Sequence, residues 1–317
     1  MESVVRYFMR KLKIGLALGG GGARGIAHIG VLKVLEKNGV RPDFIAGTSM
    51  GAIIGAMYCC GFSTDEMEEK VVRFISTDTY KELKFDKMIS PESKNIFTEL
   101  FGKIKESVLF HLSGVKEAFL GKKSIDKMLE FFLPDIDFKD LKIPFACVAV
   151  DISEGKEVVF QKGPIWEAVS SSISIPGIMP PVKYEGGVLV DGGAVQLVPV
   201  KVLKDFGCDF SIGVDVSAGL SAVSGDELKS AFDIAHRTSE IVISVLRQIQ
   251  IKDVDFLIKP EVQNIKWFEI KKFRECILAG ENEAIKKIPQ LKNKITAKKI
   301  KTFFSRVFAI DKAKKIS

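Results

Sequence analysis

Histidine is scarce in this chain, with only His28, His111 and His236 in 317 residues, so a catalytic base has few imidazoles to come from. Cysteine is nearly as sparse. The five cysteines are odd in number, with Cys59 and Cys60 adjacent and Cys147, Cys208 and Cys276 scattered, which gives neither disulfide pairing logic nor metal-ligand spacing. Reduced, mostly buried thiols are expected. No apolar run reaches the ~18 residues a spanning helix needs; the longest, Gly51 to Phe62, predicts a buried helix. The opening MESVVRYFMRKLK interleaves Arg and Lys with apolar residues and has no small-residue cleavage site, so it does not read as a secretory signal, and a cytoplasmic location is expected.

What is present is ordinary globular composition. Apolar residues make up 46% and charged residues 27%, which excludes a mostly disordered or collagen-like chain. The length allows one large or two small domains. The net charge of +7 is uneven: residues 292–317 carry nine Lys or Arg against the single acid Asp311, and the remainder is close to neutral. Nucleic-acid binding would need that charge spread over a folded face, so no nucleic-acid partner is expected.

Local patterns then give an order of elements. The run IGLAL meets Gly19 to Gly22, and a helix-period stretch from Gly25 to Lys37 follows, with Ile26, Ile29, Leu32 and Leu35 on one face. Asp43 to Ala46 reads as a second strand, ending in Gly47-Thr48-Ser49-Met50-Gly51 before another helix. This βαβα alternation predicts an α/β fold with a parallel sheet between helices and function at the carboxyl ends of the strands. Further strands are expected at 145–150, 157–160, 188–190, 210–214 and 256–258. Between about Thr79 and Phe138 the pattern changes to Phe- and Lys-rich helical segments, read as an insertion: either helices packing on the sheet or an apolar cap over a groove.

Gly47-Thr48-Ser49-Met50-Gly51 fits the Gly-x-Ser-x-Gly elbow in its required strand-to-helix context, which would lift Ser49 above the strand end at a helix amino terminus. A tight βα turn without chemistry is the alternative. The cluster Gly19 to Gly25 offers unhindered backbone amides suited to an oxyanion or a phosphate. It also spells Gly20-x-Gly22-x-x-Gly25, so a dinucleotide-binding oxidoreductase competes. Against that, the second strand ends in Gly-Thr-Ser rather than in the acid a ribose requires, and a Walker lysine is missing. For the base, His236 has the usual chain order but sits in a helical segment with no strand end to deliver it. Asp151, Asp191 and Asp215 each follow an apolar strand-like run; Gly192-Gly193 after Asp191 permits a tight turn and favours it.

GGGGARG, GTSMG, SIPGIMPPV at Ser174 to Val182 and DGG at Asp191 to Gly193, in that order, resemble the patatin-like phospholipase family, especially its bacterial branch. The resemblance implies a three-layer α/β/α fold with a mainly parallel sheet and a helical insertion. It implies a lipid acyl hydrolase (phospholipase A, lysophospholipase or carboxylesterase) with a Ser49–Asp191 dyad and no histidine, metal or cofactor. Gly20, Gly21 and Gly22 match the oxyanion loop, Arg24 its basic position, and Gly25, Gly47, Gly51, Gly192 and Gly193 support the motifs. The expected organisation is a basic arm at 1–12, a catalytic domain at 13–260 with core motifs at 13–205 and a cap insertion at about 79–138, and a helical extension at 261–317. Phospholipid or lysophospholipid is the expected substrate. In the tail, Lys298, Lys299, Lys301 and Arg306 alternate with Ile300, Phe303, Phe304, Val307 and Phe308, which predicts either peripheral contact with an anionic membrane face or a solvated terminal helix. A non-catalytic membrane or signalling module on the same fold is the remaining alternative.

Overall fold

The computed structural model describes residues 11–83, 120–225, 228 and 231–314, and only the backbone of Phe232, His236 and residues 306–314. The expected basic arm, most of the expected cap and His111 lie outside these residues. Eight strands form one sheet: β1 (Ile14–Leu18), β2 (Phe44–Gly47), β3 (Phe145–Asp151), β4 (Lys156–Phe160), β5 (Val182–Tyr184), β6 (Gly187–Asp191), β7 (Phe210–Val214) and β8 (Phe256–Ile258). Five of them, in the order β3-β2-β1-β7-β8, are parallel. Their central members are buried on both faces, as helix-covered parallel strands must be, and so read as continuous apolar runs.

With five of its eight strands parallel, the sheet is mainly parallel, as expected; the remaining strands are antiparallel. β4, β5 and β6 are antiparallel to their neighbours, and β5 has no counterpart among the expected strands. The cause is local. Glu185 and Gly186 both take positive φ (47° and 85°), the conformation of a two-residue hairpin turn that reverses β5 into β6.

The consequence is decisive for the site. β3 gives one edge to β4, along Cys147 to Asp151, and divides the other edge between β2 and β6. β2 ascends that edge and stops at Gly47, opposite Cys147. β6 descends the same edge and stops at Asp191, opposite Ala149. The carboxyl ends of β2 and β6 therefore meet head to head, about 7 Å apart at two residues of strand rise.

Helices cover both faces: α1 (Ala27–Lys37), α2 (Met50–Cys60), α3 (Thr64–Phe74), α4 (Asp78–Glu82), α5 (Lys122–Phe132), α6 (Ile165–Ser172), α7 (Val200–Asp205), α8 (Ala231–Gln250) and α9 (Phe273–Lys314). α3 starts on a reciprocal capping box between Ser63 and Glu66. α9 packs along α1 through two glycines: a Cβ at Gly30 would lie 2.0 Å from the Ile277 carbonyl oxygen, and one at Gly280 would lie 2.0 Å from that of Ala27. Val262, Phe268, Phe273, Cys276, Ile277 and Leu291 belong to the same hydrophobic core as β1 and α1. The boundary drawn at residue 260 from the sequence thus cuts through one core.

α9 descends from the carboxyl edge to the amino edge of the sheet. There Lys294 donates to the Asp255 carbonyl (3.0 Å) and Lys298 pairs with its carboxylate (3.1 Å), just before β8 begins. The helix continues past that point, so Ile300, Phe303 and Phe304, all exposed, leave the body at the edge opposite Ser49. Among the described residues no helix is long and apolar enough to cross a membrane.

Candidate functional site

Ser49 holds φ 55° and ψ −125°, a conformation L residues avoid, between the end of β2 and the start of α2. Such strain costs about 1–3 kcal/mol and persists only when the surroundings over-determine it. They do so here. A Cβ at Gly47 would lie 2.5 Å from the Gly51 carbonyl oxygen, and one at Gly51 would lie 2.1 Å from that of Leu18, so the turn closes only with glycine at both flanks. The Ser49 amide donates to Ser172 Oγ (3.0 Å), the Thr48 amide to the Leu18 carbonyl (3.1 Å) and the Thr48 hydroxyl to the Gln196 carbonyl (2.8 Å).

Asp191 arrives from the facing strand end. Its amide donates to the Ser174 carbonyl (2.9 Å), which gives the SIPG motif its structural task, and its Oδ1 accepts the Gly193 amide (2.7 Å). The carboxylate also faces the Ser49 hydroxyl, which acts to lower its pKa. Burial pushes the Asp191 carboxyl up to about 6, against the lowering effect of the facing Ser49 hydroxyl and the Gly193 amide. Gly192 is forced by space, since a Cβ there would sit 2.2 Å from the Val148 carbonyl oxygen.

The other two aspartates are spent elsewhere. Asp151 Oδ1 accepts the amides of Ser153 (2.8 Å) and Glu154 (3.3 Å), closing the β3–β4 hairpin. Asp215 is fully buried, pairs with Arg247 at 2.5 Å and accepts the Ser217 amide at 3.0 Å. His28 is also fully buried; its Nε2 lies 2.8 Å from the Gly19 carbonyl oxygen, and burial lowers its pKa to about 4, so the neutral ring donates Nε2–H and pins the glycine loop. His236 belongs to α8, and its side chain is outside the described residues.

The glycine loop divides its labour. The Gly20 amide is already donated to the Leu197 carbonyl (2.8 Å), which removes it from the expected set of oxyanion donors. Gly21 and Gly22 amides are not among the backbone hydrogen bonds of this turn. Gly20 Cα lies close enough to Ser49 that an added Cβ would meet Ser49 Cβ at 3.2 Å. Gly25 packs on α2, where a Cβ would meet Met50 Cβ at 2.6 Å. Of the loop amides a pyrophosphate would need, that of Gly20 is already donated to the Leu197 carbonyl.

Several contributors have no signal in the sequence. The Ala23 amide donates to the Trp267 carbonyl (2.6 Å) and Arg24 Nη1 to the Ile265 carbonyl (3.3 Å), so the segment before α9 braces the glycine loop from behind. Arg24, whose pKa burial lowers, thus faces this segment's main chain. Beside Ser49 opens a groove of about 740 Å³, including space open to solvent. Among the described residues Ser49 is the one non-aromatic polar side chain lining it; the walls include Met50 and Ile54 of α2, Phe74 of α3, Met128 and Phe132 of α5, Ile173, Met179, Trp267 and Ile270. Phe132, from the expected insertion, is therefore a groove wall, while Phe97, Phe101, Phe110 and Phe119 lie outside the described residues.

Comparison with known proteins agrees with this geometry. The chain is 32% identical over 207 residues to the "Neuropathy target esterase sws" of Drosophila melanogaster, an alignment covering 65% of this chain and 13% of that protein. It is 28% identical over 205 residues to the "Lysophospholipase NTE1" of Meyerozyma guilliermondii, covering 65% and 13%. It is also 28% identical over 296 residues to the "Patatin-like phospholipase domain-containing protein ZK370.4" of Caenorhabditis elegans, covering 84% and 20%. The chain thus spans between about an eighth and a fifth of the length of these relatives. The family model described as "Patatin-like phospholipase" matches residues 16–204, which takes in the elbow, the glycine loop and the DGG turn, and the chain belongs to the patatin-like phospholipase family.

Proposed function

We propose that the chain is a lipid acyl hydrolase that cleaves carboxylic esters through Ser49 and Asp191. The observation that carries this is the meeting of the two strand ends, which sets the Ser49 hydroxyl against the buried Asp191 carboxylate at the head of a groove that is apolar among the described residues. The aliphatic and aromatic lining of the groove beside Ser49 suits an acyl chain.

Asp191 accepts the hydroxyl proton as Ser49 Oγ attacks the ester carbonyl carbon. The carbonyl π electrons move to oxygen, and the Gly21 and Gly22 amides stabilise that oxyanion, one such donor being worth about 3 kcal/mol. Collapse expels the alcohol, which takes the proton from Asp191 and leaves an acyl-serine. Water, deprotonated by Asp191, then releases the fatty acid and restores the hydroxyl. A carboxyl pushed up to about 6 is a stronger base than an ordinary aspartate and is still ionised at neutral pH.

The printed names of two relatives, an esterase and a lysophospholipase, favour a phospholipid or lysophospholipid substrate. The test is hydrolysis of nitrophenyl butyrate and of a lysophospholipid by wild type, Ser49→Ala, Asp191→Asn and His236→Ala. Loss in the first two variants with activity kept in the third is expected. Turnover by folded Ser49→Ala at the wild-type rate would overturn the nucleophile, and a dead but folded His236→Ala would replace the dyad by a triad.

A further inference from the structure

Helix α8 is built inside out. At about 100° per residue, Ile241, Ile234, Val245, Ile249, Val242 and Leu246 fall on one arc of about 140°, interrupted only by Thr238 and Ala235. All six aliphatic residues are exposed, between 36% and 58%. The opposite arc carries Arg247 and Ser244, both buried. A helix on a water-soluble body normally turns its apolar stripe inward. Here the inward arc carries Arg247, which is committed to the buried carboxylate of Asp215, while the longer aliphatic stripe faces out.

The position of α8 says what the outward face meets. Its last turn is fastened at the carboxyl edge of the sheet, by Arg247 to Asp215 just beyond β7 and by the Gln250 side chain to the Val195 carbonyl. Val195 follows the DGG turn, and Val216, beside Asp215, packs on Gly21 of the glycine loop. The exposed turns of α8 therefore extend from the same edge as Ser49. Leu220 and Val223, in the loop leading to α8, are exposed there too. On that edge Lys266 and Lys271, both exposed, flank the groove residues Trp267 and Ile270. An uncharged aliphatic arc on the same edge as lysines at a groove mouth complements a bilayer with anionic headgroups, where the arc enters the acyl boundary and the lysines stay at the headgroups.

We infer that α8, rather than the basic tail, docks the catalytic edge on an anionic phospholipid surface and delivers the groove to its substrate. This deepens the hydrolase reading and rests on it for the claim that the surface is lipid. The tail leaves from the opposite edge, where docking would turn Ser49 away from the bilayer.

The test uses the full chain and vesicles of phosphatidylcholine with phosphatidylglycerol. Wild type, Ser49→Ala and the triple variant Ile241→Gln, Val245→Gln, Ile249→Gln are compared for flotation with vesicles, hydrolysis of vesicle lipid and hydrolysis of soluble nitrophenyl butyrate. The triple variant is expected to lose at least tenfold in vesicle binding and to fall in step on vesicle lipid, while soluble-ester turnover and thermal melting stay at wild-type values. Ser49→Ala is expected to bind vesicles as wild type does. Unchanged vesicle binding by the triple variant, or no binding by wild type, overturns the inference; so does a wild-type dimer that the triple variant dissolves with no effect on vesicles, which would make a second copy the occupant. Failure of the hydrolase reading is read separately, as soluble-ester turnover that survives Ser49→Ala.

Discussion

In the proposed mechanism Asp191 links catalysis to stability in a way that one substitution exposes. In the unfolded chain its carboxyl ionises near 3.8, and in the folded chain burial raises this to about 6. Between those values the native state binds more protons than the unfolded state, so stability falls as pH rises through the window from 3.8 to about 6. Above it the full cost of holding a buried carboxylate is present, on the order of 3 kcal/mol for a shift of about two units. Asp191→Asn removes the ionisation, while the asparagine oxygen still accepts the Gly193 amide. The variant is therefore expected to lose esterase activity and gain stability at pH 8, by up to about 3 kcal/mol, with the gain shrinking towards zero near pH 4. Urea unfolding of both proteins across that range measures it, and the His28 contribution cancels because both share it. A variant that is folded but no more stable than wild type at pH 8 would refute the account of Asp191 as a desolvated base.

Other consequences are checked more briefly. The pH profile of kcat/KM should fall below about pH 6, as the free-enzyme Asp191 protonates, and the same limb should persist in His236→Ala. Trp267→Ala should widen the groove next to Ser49 and shift the preference among nitrophenyl esters towards longer or bulkier acyl chains, because the main-chain brace on Ala23 survives the change; an unaltered chain-length profile would show that the indole does not bound the acyl site. Arg247→Met strands Asp215 as an unpaired buried carboxylate and should cost about 3–5 kcal/mol in urea unfolding. Adding Asp215→Asn to it should recover part of that loss, and no recovery would assign the damage to packing instead.

The local motifs were legible because their requirements are short-range. Gly47 and Gly51 clash with their own turn and the neighbouring strand if given a side chain, and the strand-turn-helix around Ser49 follows from a few consecutive residues. The choice of Asp191 over Asp151 and Asp215 was only tilted by the following glycines. Three aspartates after three apolar runs look alike in a string, and what separates them is partners 32 residues distant for Asp215 and a hairpin turn for Asp151. Nor does the string show the direction of the strand that ends in Asp191: β6 runs antiparallel to β3 and so meets β2, because the positive-φ turn at Glu185 and Gly186 reverses the chain.

Sequence alone therefore settled the chemistry-bearing turns, the α/β class and the apolar runs of the central strands, since each depends on backbone sterics or periodicity within a few residues. Tertiary structure decided which carboxylate meets Ser49, which of the three glycine amides stays free, and that the segment around Trp267 walls the groove and braces its loop. It also decided that α8 turns its aliphatic face outward. These depend on which distant strand edges and helix faces share space, and no window of neighbouring residues carries that information.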